Sequence, residues 1–240
     1  MSDYGIYQHI AQKLREAVKN AEIAELQELC GPFVIDPTEE FLSSRLRVLY
    51  VGQETHGWDT SITDFLKDQD GLKRALGRYR DFSFGESRSS PFWRFHHKLA
   101  ERLGFGPRTL LWSNLVRFGL KKSPGESASL IESSHPDTPK LLDIQRGTLL
   151  REIEELQVHA VVFVTGPNYD AIIRDEFGDV EFLPIRQVDE PPPGRWLLDI
   201  IQCKKFPDLQ IVRTYHPKPL QLYKIFDRAI EGIARQLLRN

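Results

Sequence analysis

Four short apolar runs, each stopping on glycine or a small polar cluster and each set off by a helix-like stretch, constrain this chain more than any other feature. They are Arg47 to Glu54 (RVLYVGQE), Thr109 to Val116 (TLLWSNLV), His159 to Gly166 (HAVVFVTG) and Leu209 to Pro217 (LQIVRTYHP). An unbroken apolar run of this length, bounded by turn residues, reads as a strand buried on both faces. Helix-like stretches lie near Pro91 to Leu103, Leu142 to Leu156 and Leu222 to Leu238, the last carrying Ile225, Ile230, Ile233 and Leu237. Strands alternating with helices predict a three-layer α/β/α fold with a central, mainly parallel four-stranded sheet. In such a sheet a ligand sits beyond the carboxyl ends of the strands.

Upstream of the first run, Ile6, Ile10, Leu14, Val18, Ile23, Leu26 and Leu29 recur near helical spacing, which predicts one or two helices over Tyr4 to Cys30. Gly31-Pro32 ends them, and a short helix is expected to start near Asp36-Pro37-Thr38, with Asp36 as its cap. A chain of 240 residues, 40% hydrophobic, can bury one substantial core. The expectation is a single domain over 1–240, with a helical segment at 1–44 and the α/β core at 45–240. The run DEPPPG, Asp189 to Gly194, is too stiff for a helix and predicts a surface excursion.

Several function classes drop out on composition. No apolar stretch reaches the roughly twenty residues of a bilayer span, and the opening MSDYGIYQHIAQKL lacks the basic-then-apolar order of a signal peptide. A cytoplasmic location without membrane contact is the expectation. Cys30 and Cys203 are too few for a four-thiolate cluster or a disulfide framework. The 32 basic residues face 34 acidic ones, so any nucleic-acid contact must be local rather than spread over the surface.

The strand ends carry the chemistry. The first ends Gly52-Gln53-Glu54-Thr55-His56-Gly57, the second Ser113-Asn114, the third Thr165-Gly166-Pro167-Asn168 and the fourth Tyr215-His216-Pro217-Lys218-Pro219-Leu220. Parallel strands deliver these clusters to one edge, where a carboxylate, an amide and an imidazole share a cleft.

GQETHG and HPKPL stand where uracil-DNA glycosylases carry Gly-Gln-Asp-Pro-Tyr-His and His-Pro-Ser-Pro-Leu. Between them Phe82-Ser83-Phe84 and Ser89-Ser90-Pro91-Phe92-Trp93 match the family's Phe-Ser and proline-serine segments, and Leu110-Leu111-Trp112-Ser113-Asn114 is similar to its Leu-Leu-Leu-Asn strand. The Phe-Trp pair also looks like the mismatch-specific branch. The chain therefore resembles the uracil-DNA glycosylase superfamily from about Arg45 to Arg235, as a divergent member with glutamate in the aspartate position.

That resemblance implies a DNA glycosylase that flips a nucleotide and hydrolyses its N-glycosidic bond. Glu54 would stabilise positive charge on the sugar and orient the water, a role shared with or passed to Asn114. His216 would donate a hydrogen bond to the base oxygen as charge gathers there. Asn114 would read the Watson–Crick edge, Phe82 would stack on the base with Phe84 or Phe92 as alternatives, and Gln53 and His56 would complete the base pocket. Leu220, expected on an exposed turn after the two prolines, would wedge into the stack, with Lys218, Ser89 and Ser90 on phosphates.

The family's uracil-selective members have tyrosine at the position of His56, so a roomier wall is expected to admit C5-substituted pyrimidines such as modified phage cytosines, in a defence role. The enzyme is expected to need no metal or other cofactor and to act on DNA as a monomer without an obligate protein partner. A base-binding module without catalysis is the competing class, favoured by the glutamate. A Rossmann-like enzyme is disfavoured because no G-x-G-x-x-G follows the first strand. A zinc site of His56, His96 and His97 is disfavoured because adjacent helical histidines diverge.

Overall fold

The computed structural model describes residues 5–55, 58, 60–82, 84, 89–121, 127–185 and 197–239. In chain order its elements are helix α1 (Gln8–Lys19), strand β1 (Leu29–Cys30), α2 (Glu39–Leu42), β2 (Val48–Glu54), α3 (Ile62–Leu66), α4 (Gly71–Arg80) and α5 (Pro91–Arg102). There follow β3 (Leu110–Val116), β4 (Gly119–Lys121), β5 (Ser127–Ala128), α6 (Thr138–Gln145), α7 (Thr148–Glu155) and β6 (Ala160–Phe163). The chain continues through α8 (Asp170–Phe177), β7 (Val180–Ile185), β8 (Leu198–Cys203), β9 (Gln210–Thr214), α9 (Pro217–Leu222) and α10 (Phe226–Leu237). No helix among the described residues is long and apolar enough to cross a membrane.

By internal contacts the chain divides into two compact units, the first made of Met1–Asp36, Glu54–Asp81 and Asn114–Glu155, the second of the remaining segments.

The second unit holds the α/β sheet, in the order β3-β2-β6-β9-β8-β7. Its centre is parallel, with Val48 to Val51 beside Ala160 to Phe163, and Ala160 to Phe163 beside Gln210 to Arg213. Helices cover both faces. The Tyr50 ring meets Phe92 and Phe95 of α5, whereas Phe163 meets Phe177 of α8. Tyr50 is in register with Val162, the neighbour of Phe163, and successive strand residues point to opposite faces, so α5 and α8 lie on opposite sides. This matches the expected α/β sheet between helices.

The expected four strands become six, because β7 and β8 extend the sheet antiparallel beyond β9. Two features hid them. Pro184 lies within β7, and Asp199 interrupts the apolar pattern of β8. Proline is tolerated where β7 sits, at the edge of a sheet, because no further strand requires its missing N–H. Asp199 is compensated by Arg213, 2.7 Å away on the neighbouring strand.

The first unit packs α1, α3, α4, α6 and α7 with a small antiparallel sheet, β1-β4-β5. Its centre is polar as well as apolar. Arg117 and Glu152, 1% and 0% exposed in their side chains, form a two-pronged ion pair with both contacts at 2.6 Å. Tyr7 donates its hydroxyl to Glu152 and accepts the Ile35 N–H. Burial and the Glu152 charge hold the Tyr7 phenol well above its ordinary range. Losing one partner of such a pair strands a buried charge at a cost of about 3–5 kcal/mol. Gly31 is required nearby: at φ +117 a Cβ would come within 2.6 Å of the Arg117 carbonyl oxygen.

Three helix boundaries differ from expectation. The segment before Gly31 is α1, a 3-10 turn at Leu26–Glu28 and then β1, rather than helix throughout. Thr38, not Asp36, caps α2, its hydroxyl oxygen accepting the Phe41 N–H at 3.1 Å. The helix expected over Leu142 to Leu156 is two, α6 and α7, parted at Gly147 with φ +79. The Asp189 to Gly194 segment lies outside the described residues.

Candidate functional site

In the second unit, backbone and side-chain bonds draw three parallel strand ends together. Gln53, near the end of β2, donates from Nε2 to the Thr165 carbonyl after β6, at 2.8 Å. Gly166 then donates its N–H to the Thr214 carbonyl at the end of β9, at 2.9 Å. Gly166 makes this turn at φ +71, and the side of the glycine faces Tyr215 and His216. Gln53 is thus spent on holding the strand ends, leaving its carbonyl side of the amide for other work.

His216 follows directly. It caps α9, and its Nδ1 accepts the Lys218 N–H at 3.3 Å. With Nδ1 serving as acceptor, the ring proton of the neutral imidazole resides on Nε2. Burial, then the Lys218 charge, push its pKa down to about 4, so at neutral pH the ring is uncharged and carries one N–H donor.

Phe92 lies nearly parallel to the imidazole, 22° between planes and 6.2 Å between centroids. Phe82 is half-buried and packs against Trp93 and Trp112 at 5.2 Å each. Phe84 is fully buried against His96, which removes it as a stacking platform. Phe82 and Phe92, both half-buried, remain as the stacking candidates in this unit.

Around it, the phosphate-contact candidates divide. Ser90 caps α5 with a long 3.4 Å bond from the Trp93 N–H, and Ser89 and Ser90 are both exposed. Lys218 is exposed. Leu220 requires correction. It is 0% exposed, because Pro217 starts a helix rather than a turn and α9 rotates Leu220 into the core. The exposed apolar side chains are two and three residues later, Leu222 at 73% and Tyr223 at 62%.

In the first unit, Glu54 is half-buried and held at both oxygens: Oε1 accepts the Ser129 hydroxyl at 2.5 Å and Oε2 the Leu130 N–H at 2.6 Å. Neither partner was visible in the sequence, since they lie far along the chain in a segment without a motif. Asn114 is 1% exposed, and its Nδ2 has no acceptor among the described residues. A buried amide with unspent hydrogens is costly, on the order of 1–3 kcal/mol, unless something else completes it. Gln145 steadies the strand just beyond, donating to the Leu115 carbonyl and accepting the Arg117 N–H, both at 2.8 Å. His56 and Gly57 lie outside the described residues.

Metal ligation finds little support among the described residues. Glu25, Glu28 and His135 have ligand atoms within 4.8 Å of one another. His135 Nδ1, however, accepts the Asp137 N–H at 3.2 Å, which leaves the proton on Nε2, the nitrogen that faces Glu25 at 3.0 Å. A metal-bound histidine has the opposite pattern, donating from its second nitrogen. His96 and His97 each direct Nε2 at a backbone carbonyl, of Leu110 and Phe84, and burial pushes the His96 pKa down to about 3.

A scan against models of known protein families finds no match, and a search of curated proteins finds none.

Proposed function

We propose that this protein is a DNA glycosylase of uracil-DNA glycosylase type, which flips a nucleotide and hydrolyses its N-glycosidic bond. The observation that carries the reading is His216: a neutral imidazole with its proton on Nε2, packed along Phe92 at the end of a central parallel strand. Bond cleavage leaves negative charge on the departing base. A fixed N–H donor in a water-poor setting stabilises that charge without needing to be a cation. Phe82 or Phe92 supplies an apolar face against which an extruded base stacks.

Glu54 answers the opposite charge. Ser129 and Leu130 fix the Glu54 carboxylate, the group that the resemblance gives to the oxocarbenium-like sugar and its attacking water. The unspent Asn114 amide hydrogens are the group that the resemblance assigns to the base edge. With Leu220 in the core, Leu222 and Tyr223 take the place of the apolar wedge, and Lys218 the phosphate. No step calls on a metal or an organic cofactor.

The test is mass spectrometry of bases released from matched DNAs containing uracil, thymine, hydroxymethylcytosine or glucosylated hydroxymethylcytosine. Release of one of these, lost in Glu54→Gln and His216→Ala, is expected. A second reading, a module that binds a modified base without excising it, is favoured by the two short bonds that occupy Glu54. Tight binding to the same DNAs with no base released selects it.

A further inference from the structure

The second unit contains a cleft of about 390 Å³ at the other end of β9 from His216. Its origin is a fork in the sheet. The β8–β9 register runs from Leu198↔Thr214 to Ile200↔Val212 and stops there. Beyond that point β8 stays on β7 as far as Cys203, and β9 stays on β6 as far as Gln210. Each strand is held from its outer side, so the gap between them cannot close by simple pairing.

Ile200, Phe206, Leu209 and Val212 give the cleft apolar walls, and Gln236 of α10 borders it. Gln210 lines it too, and its Oε1 is buried with no donor among the described residues. No carboxylate lines the space, and the lining cation, Lys204, is paired with Asp179 at 2.5 Å, so the cleft offers no unbalanced charge. A volume of this size lies at the small end of ligand pockets, which combine an apolar body with a few placed polar groups. A buried carbonyl oxygen without a partner is completed by a donor on the occupant.

We infer that this fork is a second ligand site, taking a small, neutral, flat heterocycle whose ring N–H donates to Gln210. The site is independent of the proposed glycosylase chemistry and stands or falls without it.

Indole and benzofuran test it, because the two share a shape and differ in that only indole carries an N–H. The readout is the two-dimensional amide spectrum of the full-length ¹⁵N-labelled protein during titration with each. Indole is expected to shift the resonances of 200–212 saturably, with benzofuran about tenfold weaker, the usual order for one buried hydrogen bond. In Gln210→Met, which keeps the side-chain length and removes the amide, the two probes are expected to bind alike. The site is overturned if neither probe saturates, if the shifts fall around His216 and Phe92 instead, or if benzofuran binds as well as indole to the wild type. A difference that persists unchanged in Gln210→Met overturns the role of that amide and with it the ligand class.

Discussion

Two histidines in this molecule sit in the same local turn and have different surroundings. His135 in the first unit and His216 in the second both precede proline, and both accept the N–H of the residue two further on at Nδ1. The backbone therefore places the ring proton on Nε2 in each. His135 keeps that nitrogen buried beside the Glu25 carboxylate, 3.0 Å away but without hydrogen-bond geometry, so its donor is enclosed by the fold. His216 lies along Phe92, and the charge acting on it is the Lys218 ammonium, which repels a second proton. A His-Pro turn thus fixes a tautomer, while the neighbours decide whether the donor is enclosed or available.

The largest effect that would break this comparison is on base release. His216→Ala is expected to lower turnover by about two orders of magnitude or more, as for loss of a fixed oxyanion donor. His135→Ala should leave it within about threefold. Equal losses in single-turnover assays would mean that the two turns are not functionally distinct.

The next effect is in pH. Because the His216 pKa is lowered from 6.5 to about 4, the neutral donor persists well below pH 6.5. Release by the wild type should show no inflection near 6.5 and should change only as pH approaches 4. The same shift makes the folded state lose stability as pH falls from 6.5 through 4, since the unfolded chain takes up the proton first. Melting curves of the wild type and His216→Asn over this range check the sign, with the variant expected to lose less. An inflection of release near 6.5 that moves with His216 in an NMR titration contradicts the neutral-donor account.

A smaller effect concerns the helix that His216 caps. Leu222→Ser and Tyr223→Ser should each weaken DNA binding by about three- to tenfold while leaving thermal stability unchanged, because both side chains are exposed. Binding isotherms that match the wild type remove these residues from the DNA surface. The smallest effect belongs to the His135 turn. Glu25→Gln exchanges a carboxylate for an amide at a partner whose side chain is 48% exposed, so it should cost at most about 1 kcal/mol in denaturant unfolding.

Much of this was legible where side-chain pattern and backbone agree. The runs now seen as β2, β3, β6 and β9 were marked by short apolar stretches closing on glycine or polar residues, and α5 by Ser90-Pro91 at its start. The β7–β8 pair was hidden because an edge strand accepts proline and a central one accepts a charge once Arg213 compensates it. Leu220 misled for a related reason. Two prolines two residues apart suggest an exposed turn, yet proline at the first helical position starts α9 and carries Leu220 inward. The clamp on Glu54 could not be read at all, since Ser129 and Leu130 meet it only through tertiary structure.

The proline in β7 has a consequence for the molecule among its own copies. A terminal strand presents a ladder of amide groups along which another chain can zip, the route by which sheets grow into fibres. Pro184 deletes one rung of that ladder, and the neighbouring exposed Glu181 adds a charge that a second copy would have to bring against its own. The interruption that concealed this strand from a reading of the sequence also makes it a poor template for recruiting others, and favours a chain that stays dispersed when crowded.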